Sequence, residues 1–221
     1  MRKPNTEYDL ESLCELLKLI SHHTSETETF PWRKTKDPYH VFLAEMLLVR
    51  TRADVVAALF DGILQKYPDI ETLALADEKE LAELLRPLGL KKRVNLLKRA
   101  AQFVAEAYDA RFPKTLDLLK KIPGMGEYTA RAFRVFAFGI KDIPPDTNIF
   151  RLLSRITGIP TDHPTKGSDE LVQLVRELSE RCNGYSTAAV LDFARTVCRP
   201  RNPLCNRCKI KEFCRYFLSN K

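Results

Sequence analysis

Residues 119–130 read LKKIPGMGEYTA, a short turn between two stretches with helical spacing. Gly124 and Gly126 permit backbone angles closed to other residues, and Pro123 stiffens the entry to the turn. The turn and the start of the next helix together offer several amide hydrogens, which suits a phosphate oxygen. Such a contact positions a nucleic acid without reading its sequence. A G-x-G between helices also serves as nothing more than a tight turn, so the surroundings must decide.

Outward from the hairpin, helical periodicity dominates. Leu10, Leu13, Cys14, Leu17 and Ile20 recur on one helix face. Asp37-Pro38 is an N-cap followed by proline at the first helical position, opening a helix through YHVFLAEMLLVR (39–50). Asp77 and Glu80 have capping-box spacing before LAELL. Residues 91–108 form a long amphipathic pattern with a basic start, and 127–138 another that stops at Gly139. Further helices are predicted at 147–156, 169–181 (capped by Ser168) and 186–197. Strand alternation, hairpin dipeptides, repeats and low-complexity segments are all absent, so the predicted class is all-α.

The chain has 221 residues, a formal charge of +7 and a pI near 9.1. The length allows one large domain or two small ones, and the charge favours a polyanionic partner such as nucleic acid. No apolar run approaches the roughly 18 residues of a membrane span. The N-terminus, MRKPNTEYDLESL, is too polar for a signal peptide. An intracellular protein is expected.

In a reducing compartment, clustered cysteines point to metal rather than to disulfides. Cys198, Cys205, Cys208 and Cys214 stand as C-x6-C-x2-C-x5-C. Four thiolates can complete a tetrahedral zinc site or hold a four-iron, four-sulfur cluster. Structural zinc sites use two close cysteine pairs. Only Cys205 and Cys208 make such a pair, which favours the cluster and leaves zinc as the alternative. Cys14 and Cys182 belong to no motif and are expected as buried small apolar side chains.

With this spacing and the hairpin, the chain resembles the helix-hairpin-helix DNA glycosylases of the endonuclease III superfamily over about residues 30–216. The resemblance implies a two-lobed fold. A six-helix barrel lobe at 30–135 would carry the helix-hairpin-helix motif (115–138). A discontinuous cluster lobe would join 1–29 to 136–221, with the cluster loop at 198–214 and a DNA-binding cleft between the lobes. The implied cofactor is a 4Fe-4S cluster. The implied partner is double-stranded DNA with a mismatched or damaged base, bound by a monomeric, cytoplasmic, nucleoid-associated enzyme. Gly124, Met125 and Gly126 match the family hairpin.

The resemblance also assigns the chemistry. Asp146, an N-cap candidate in its own right, aligns with the family's catalytic aspartate. A carboxylate there stabilises positive charge on the sugar as the N-glycosidic bond breaks, and helps orient water. Tyr128 stands eighteen residues earlier, where bifunctional relatives carry the lysine that forms a Schiff base. A phenol cannot form an imine, so hydrolysis by water alone is expected. Glu45 is the one polar residue among eight apolar ones in VFLAEMLLV (41–49), and ionised it would be costly to bury. That stretch is similar to SEVMLQQT of MutY-type adenine glycosylases and to TEILLRRT of Mig-type thymine mismatch glycosylases. In both, the glutamate lies at the base pocket. Arg50 takes the place of the residue that wedges into the duplex when a base flips out.

Two base specificities follow from the resemblance. Val49-Arg50 replaces the glutamine pair of the MutY type, and LLVRT, GLKKRVNLLK and the chain length are nearer the Mig type. Thr147 after Asp146 departs from both. The expected substrate is thymine or uracil opposite guanine, with adenine removal as the alternative. A bifunctional glycosylase/lyase and a non-catalytic DNA-binding module are the remaining readings.

Overall fold

The helices follow from local caps and apolar spacing. In the computed structural model, which describes residues 9–22, 30–89, 91–161 and 167–220, every regular element is helical among those residues. None of the described helices is long and apolar enough to cross a membrane. By internal contacts the chain divides into two units, Glu28–Ile140, and Met1–Thr27 together with Lys141–Lys221.

Within 28–140, α2 (Pro38–Leu48) starts where Asp37 accepts a hydrogen bond from the Tyr39 N–H at 2.8 Å. It buries residues all round its circumference, Tyr39 and Val41 to Leu47 among them, as a central helix does. It packs against α3 (Ala53–Lys66) and α8 (Glu127–Phe138). The amphipathic α6 (Lys91–Ala107) carries α4 (Ile70–Ala74) and α5 (Glu78–Leu85), and the short α7 (Leu116–Leu119) lies against α8. Phe42, Phe60, Leu97 and Phe133 are fully enclosed in the resulting core. The basic start expected for α6 is Lys91, Lys92 and Arg93; the first two side chains lie outside the described residues, and Arg93 is buried.

In the other unit, α1 (Leu10–Ser21) lays Leu13, Leu16, Leu17 and Ile20 against α10 (Asp169–Arg181) and α11 (Thr187–Thr196). α9 (Thr147–Thr157) packs on α10, α11 and the terminal α12 (Arg215–Ser219). Ser168 caps α10 as expected, accepting from the Leu171 N–H.

Three expectations are corrected. The helix predicted at 39–50 stops at Leu48, because Arg50 turns into the left-handed region at φ 56°. Asp77 caps α5 through the N–H groups of Lys79 and Glu80, but Glu80 does not complete a capping box. Its carboxylate instead pairs with Lys66 at 2.8 Å; the reciprocal box belongs to Asp69 and Thr72. Finally, Cys14 and Cys182 are not isolated apolar side chains but a disulfide, joining α1 to the C-cap of α10 across 168 residues of sequence.

Candidate active site and DNA interface

Gly124 sits at φ 84° between α7 and α8. A Cβ there would come within 2.8 Å of Met46 Cε and 2.9 Å of Leu96 Cδ2, so the position needs glycine for conformation and for space. The hairpin turn therefore seats directly on α2 and α6. Gly126 is the N-cap of α8 and provides no side-chain cap. The positive end of the helix lies at this turn, which favours an anion beside it.

Met125 does not join this surface. Its side chain is 2% exposed within the core, and its N–H donates to the Ile122 carbonyl at 3.0 Å. It anchors the turn rather than offering a contact. Tyr128, on the first turn of α8, is 37% exposed. Lys120, before the turn, is tied to Glu127 at 2.7 Å.

Glu45 is buried on α2. Burial pushes its carboxyl pKa up to about 7, and the nearby Arg33 charge pulls it only part of the way back. A carboxyl with that value is protonated in a large fraction of molecules near neutral pH, as proton donation requires. The Arg33 guanidinium lies 4.0 Å from the centroid of the Phe136 ring, and its NH1 is buried without a hydrogen-bond partner. Arg50 follows α2 and is exposed at the apex of the next turn.

Asp146 caps α9, with Oδ1 accepting from the Ile149 N–H at 2.7 Å and Oδ2 from the Asn148 side-chain amide at 2.9 Å. Burial raises its pKa from the ordinary aspartate value, while these hydrogen bonds and the Arg151 charge oppose the rise. The cap seen in the sequence is real, and it holds the carboxylate in one orientation.

Arg151 and Arg155 tie α9, the helix that Asp146 opens, to the cysteine loop. The Arg151 NH2 donates to Asn148 Oδ1 at 3.0 Å and to the Ala194 carbonyl at 2.6 Å, while Nε donates to the Cys198 carbonyl at 2.8 Å. Arg155 donates to the carbonyls of Arg199 at 2.7 Å and Pro200 at 3.0 Å. Their four-residue spacing on the helix that Asp146 opens was the available signal.

Cys198, Cys205, Cys208 and Cys214 all line one pocket, together with apolar groups such as Leu152 and Ile156. Burial, and then the neighbouring thiols of Cys214, Cys198 and Cys205, push the Cys208 pKa up to about 11. Among the described residues, no three His, Cys, Asp or Glu side chains converge as the ligands of a single ion. Four cysteines lining one pocket supply soft donors of the kind a cubane cluster takes, one thiolate at each of its irons.

Comparison with known proteins agrees with this arrangement. The family pattern of the HhH-GPD superfamily base excision DNA repair proteins matches residues 43–177. A thymine/uracil-DNA glycosylase of Methanothermobacter thermautotrophicus is 30% identical over 202 residues, covering 90% of this chain and 91% of that protein. A human adenine DNA glycosylase is 31% identical over 89% of this chain but only 38% of its own length. The solved structure of a thermostable thymine-DNA glycosylase superposes with a TM-score of 0.82 at 28% identity, covering 95% of this chain and 97% of that one. The chain belongs to the HhH-GPD superfamily of base excision DNA repair proteins and is a DNA glycosylase, an enzyme that hydrolyses N-glycosidic bonds.

Proposed function

We propose that this glycosylase removes thymine or uracil opposite guanine, leaving an abasic site in an intact strand. The observation that carries the mechanism is the Asp146 carboxylate, half-buried and fixed by two hydrogen bonds at the start of α9. As the N-glycosidic bond breaks, the electron pair leaves with the base and positive charge develops on the sugar. Asp146 stabilises that charge, orients the water whose oxygen attacks the sugar carbon, and accepts the proton that this water releases. Glu45 supplies a proton to the departing base. Gly124 and Gly126 hold a phosphate of the duplex, and Arg50 fills the space the extruded base vacates. Tyr128 offers no amine, so no imine forms and no strand is cut.

For the base, Val49-Arg50 in place of the glutamine pair of the MutY type, and the likeness to a thymine-DNA glycosylase of solved structure, support the pyrimidine reading. Excision is tested on duplexes with T, U or A opposite G or oxidised guanine. Selective release of T and U from G pairs is expected, and preferential release of A overturns this choice.

Cys198, Cys205, Cys208 and Cys214 would hold a 4Fe-4S cluster, supported by their shared cavity and by the single close pair in their spacing. Bound there, the cluster cross-links the loop. Hydrolysis needs no electron transfer, so the role is structural.

A further inference from the structure

Arg93, in the first turn of α6, is 6% exposed. Its hydrogen bonds all reach one five-residue stretch at the end of α2. NH1 donates to the Leu47 carbonyl at 2.7 Å and to Thr51 Oγ1 at 2.6 Å, and NH2 donates to the Val49 carbonyl. Every acceptor is neutral, and among the described residues no carboxylate forms an ion pair with Arg93. A buried guanidinium without a counter-charge is unfavourable unless its position is otherwise required.

The requirement lies at the helix end. The last carbonyls of α2 lack intrahelical partners and carry the negative end of the helix dipole. Helices commonly resolve this with a glycine in the left-handed region just past the C-cap. Here the C-cap is Val49 and the next residue, at φ 56°, is Arg50. A residue with a Cβ is strained in that conformation. The clamp from Arg93, with the Thr51 N–H donating to the Leu48 carbonyl at 3.1 Å, holds the turn that keeps it there. Arg50 itself is exposed at the apex, beside a Val49 that is 45% exposed. The strained residue is thus the one with an exposed side chain, on a turn fixed from beneath.

We propose that Arg93 is a positioning residue for base extrusion: it locks the 47–51 turn so that Arg50 is already presented when the duplex arrives. The inference rests on the role given to Arg50 above. A wedge ordered in advance loses less freedom on binding than one that must be ordered by DNA.

The test compares uracil excision from a U·G duplex with excision from single-stranded DNA, which needs no extrusion, under single-turnover conditions. Wild type, Arg50→Ala, Arg93→Met and Arg93→Lys are measured alongside their melting temperatures. Arg93→Met is expected to lower the duplex-to-single-strand rate ratio about tenfold, an effect of the size expected for a lost positioning contact. Arg93→Lys is expected to lower it about threefold, because one ammonium cannot span acceptors held by two guanidinium nitrogens. Should Arg93→Met fail to fold, Arg93→Lys decides. The proposal is overturned if both Arg93 variants stay within twofold of the wild-type ratio. It is equally overturned if both substrates slow in parallel, which is the signature of general destabilisation. If Arg50→Ala leaves the ratio at the wild-type value, the wedge reading fails first and the positioning role falls with it. A loss in Arg50→Ala without one in the Arg93 variants rejects the role of Arg93 alone.

Discussion

The side-chain amide of Asn148 donates to Oδ2 of Asp146 at 2.9 Å, while Oδ1 of the same carboxylate takes the Ile149 N–H. Asp146→Asn keeps an oxygen for the cap but turns an NH2 group toward Asn148, losing one hydrogen bond. The stability change should be small, about 1 kcal/mol. Loss of the negative charge removes an electrostatic contribution of several kcal/mol to a preorganised transition state, so excision should slow on the order of a hundredfold or more. Duplex affinity should survive, because the phosphate contacts proposed for the hairpin and basic residues do not involve this carboxylate. Melting temperature, duplex affinity and single-turnover rate on this one variant separate the two roles. A near-wild-type rate would leave Asp146 as a cap only. Because burial raises its pKa, the acid limb of the wild-type rate profile should lie above the ordinary aspartate value of 3.8.

Glu45 should make stability fall with rising pH. Its folded pKa is about 7 against an ordinary 4.5, so the folded chain holds this proton more tightly than the unfolded one. The stabilisation is complete below the unfolded value and is lost as pH rises through the folded value. Glu45→Gln removes that dependence. At pH 8 the variant should be more stable than wild type by up to about 3 kcal/mol, converging with it in acid. Its excision rate should fall, as the amide has no proton to give. Urea unfolding of both proteins across this pH range checks the sign; parallel curves would show that Glu45 titrates normally.

What could be read from the sequence was local. The caps at Asp37, Ser168 and Asp146 act within three residues of themselves, and Glu45 stood out because all its neighbours on α2 are apolar. Partners brought together by tertiary packing left no such trace. Arg93 reaches 46 residues to Leu47, and Arg151 reaches 47 to Cys198. In the sequence both are ordinary arginines on amphipathic helices. Met125 failed for the same reason: sitting between two glycines says nothing of which way its side chain faces. Glu80 had the spacing for a capping box, but Lys66 offered an opposite charge.

The Cys14–Cys182 bond links α1 to the distant end of α10. Restricting so long a loop in the unfolded chain should contribute about 2–4 kcal/mol. The Cys14→Ser, Cys182→Ser double variant should therefore melt lower than the oxidised protein, and reductant should lower the wild type alone. Intact mass before and after reduction reports the bond directly. Wild type purified as two free thiols, with a melting point insensitive to reductant, would rule out the stabilising role.

The four-cysteine cavity predicts a yellow-brown protein with about four irons and four inorganic sulfides per chain after anaerobic purification. Cys208→Ser should lose most of this absorbance, since a hydroxyl is a poor ligand for iron where a thiolate is a good one. Stoichiometric zinc without sulfide would overturn the cluster in favour of a single-ion site.

Tyr128 distinguishes hydrolysis from lyase chemistry. Its place on the first turn of α8 leaves it 37% exposed, so a substituted side chain there can remain accessible. Borohydride reduces an imine between enzyme and sugar to a stable covalent link, and therefore reports an amine nucleophile. Wild-type protein should trap little or no DNA, and its product strand should break only after alkali. Tyr128→Lys supplies the missing amine, and trapping should rise severalfold above wild type, with strand scission appearing without alkali. Lys120, held by Glu127 at 2.7 Å, is the control: Lys120→Ala should not alter trapping. Efficient trapping by the wild type, abolished in Lys120→Ala, would show that an amine other than one at position 128 attacks the sugar, and the hydrolytic reading would fail.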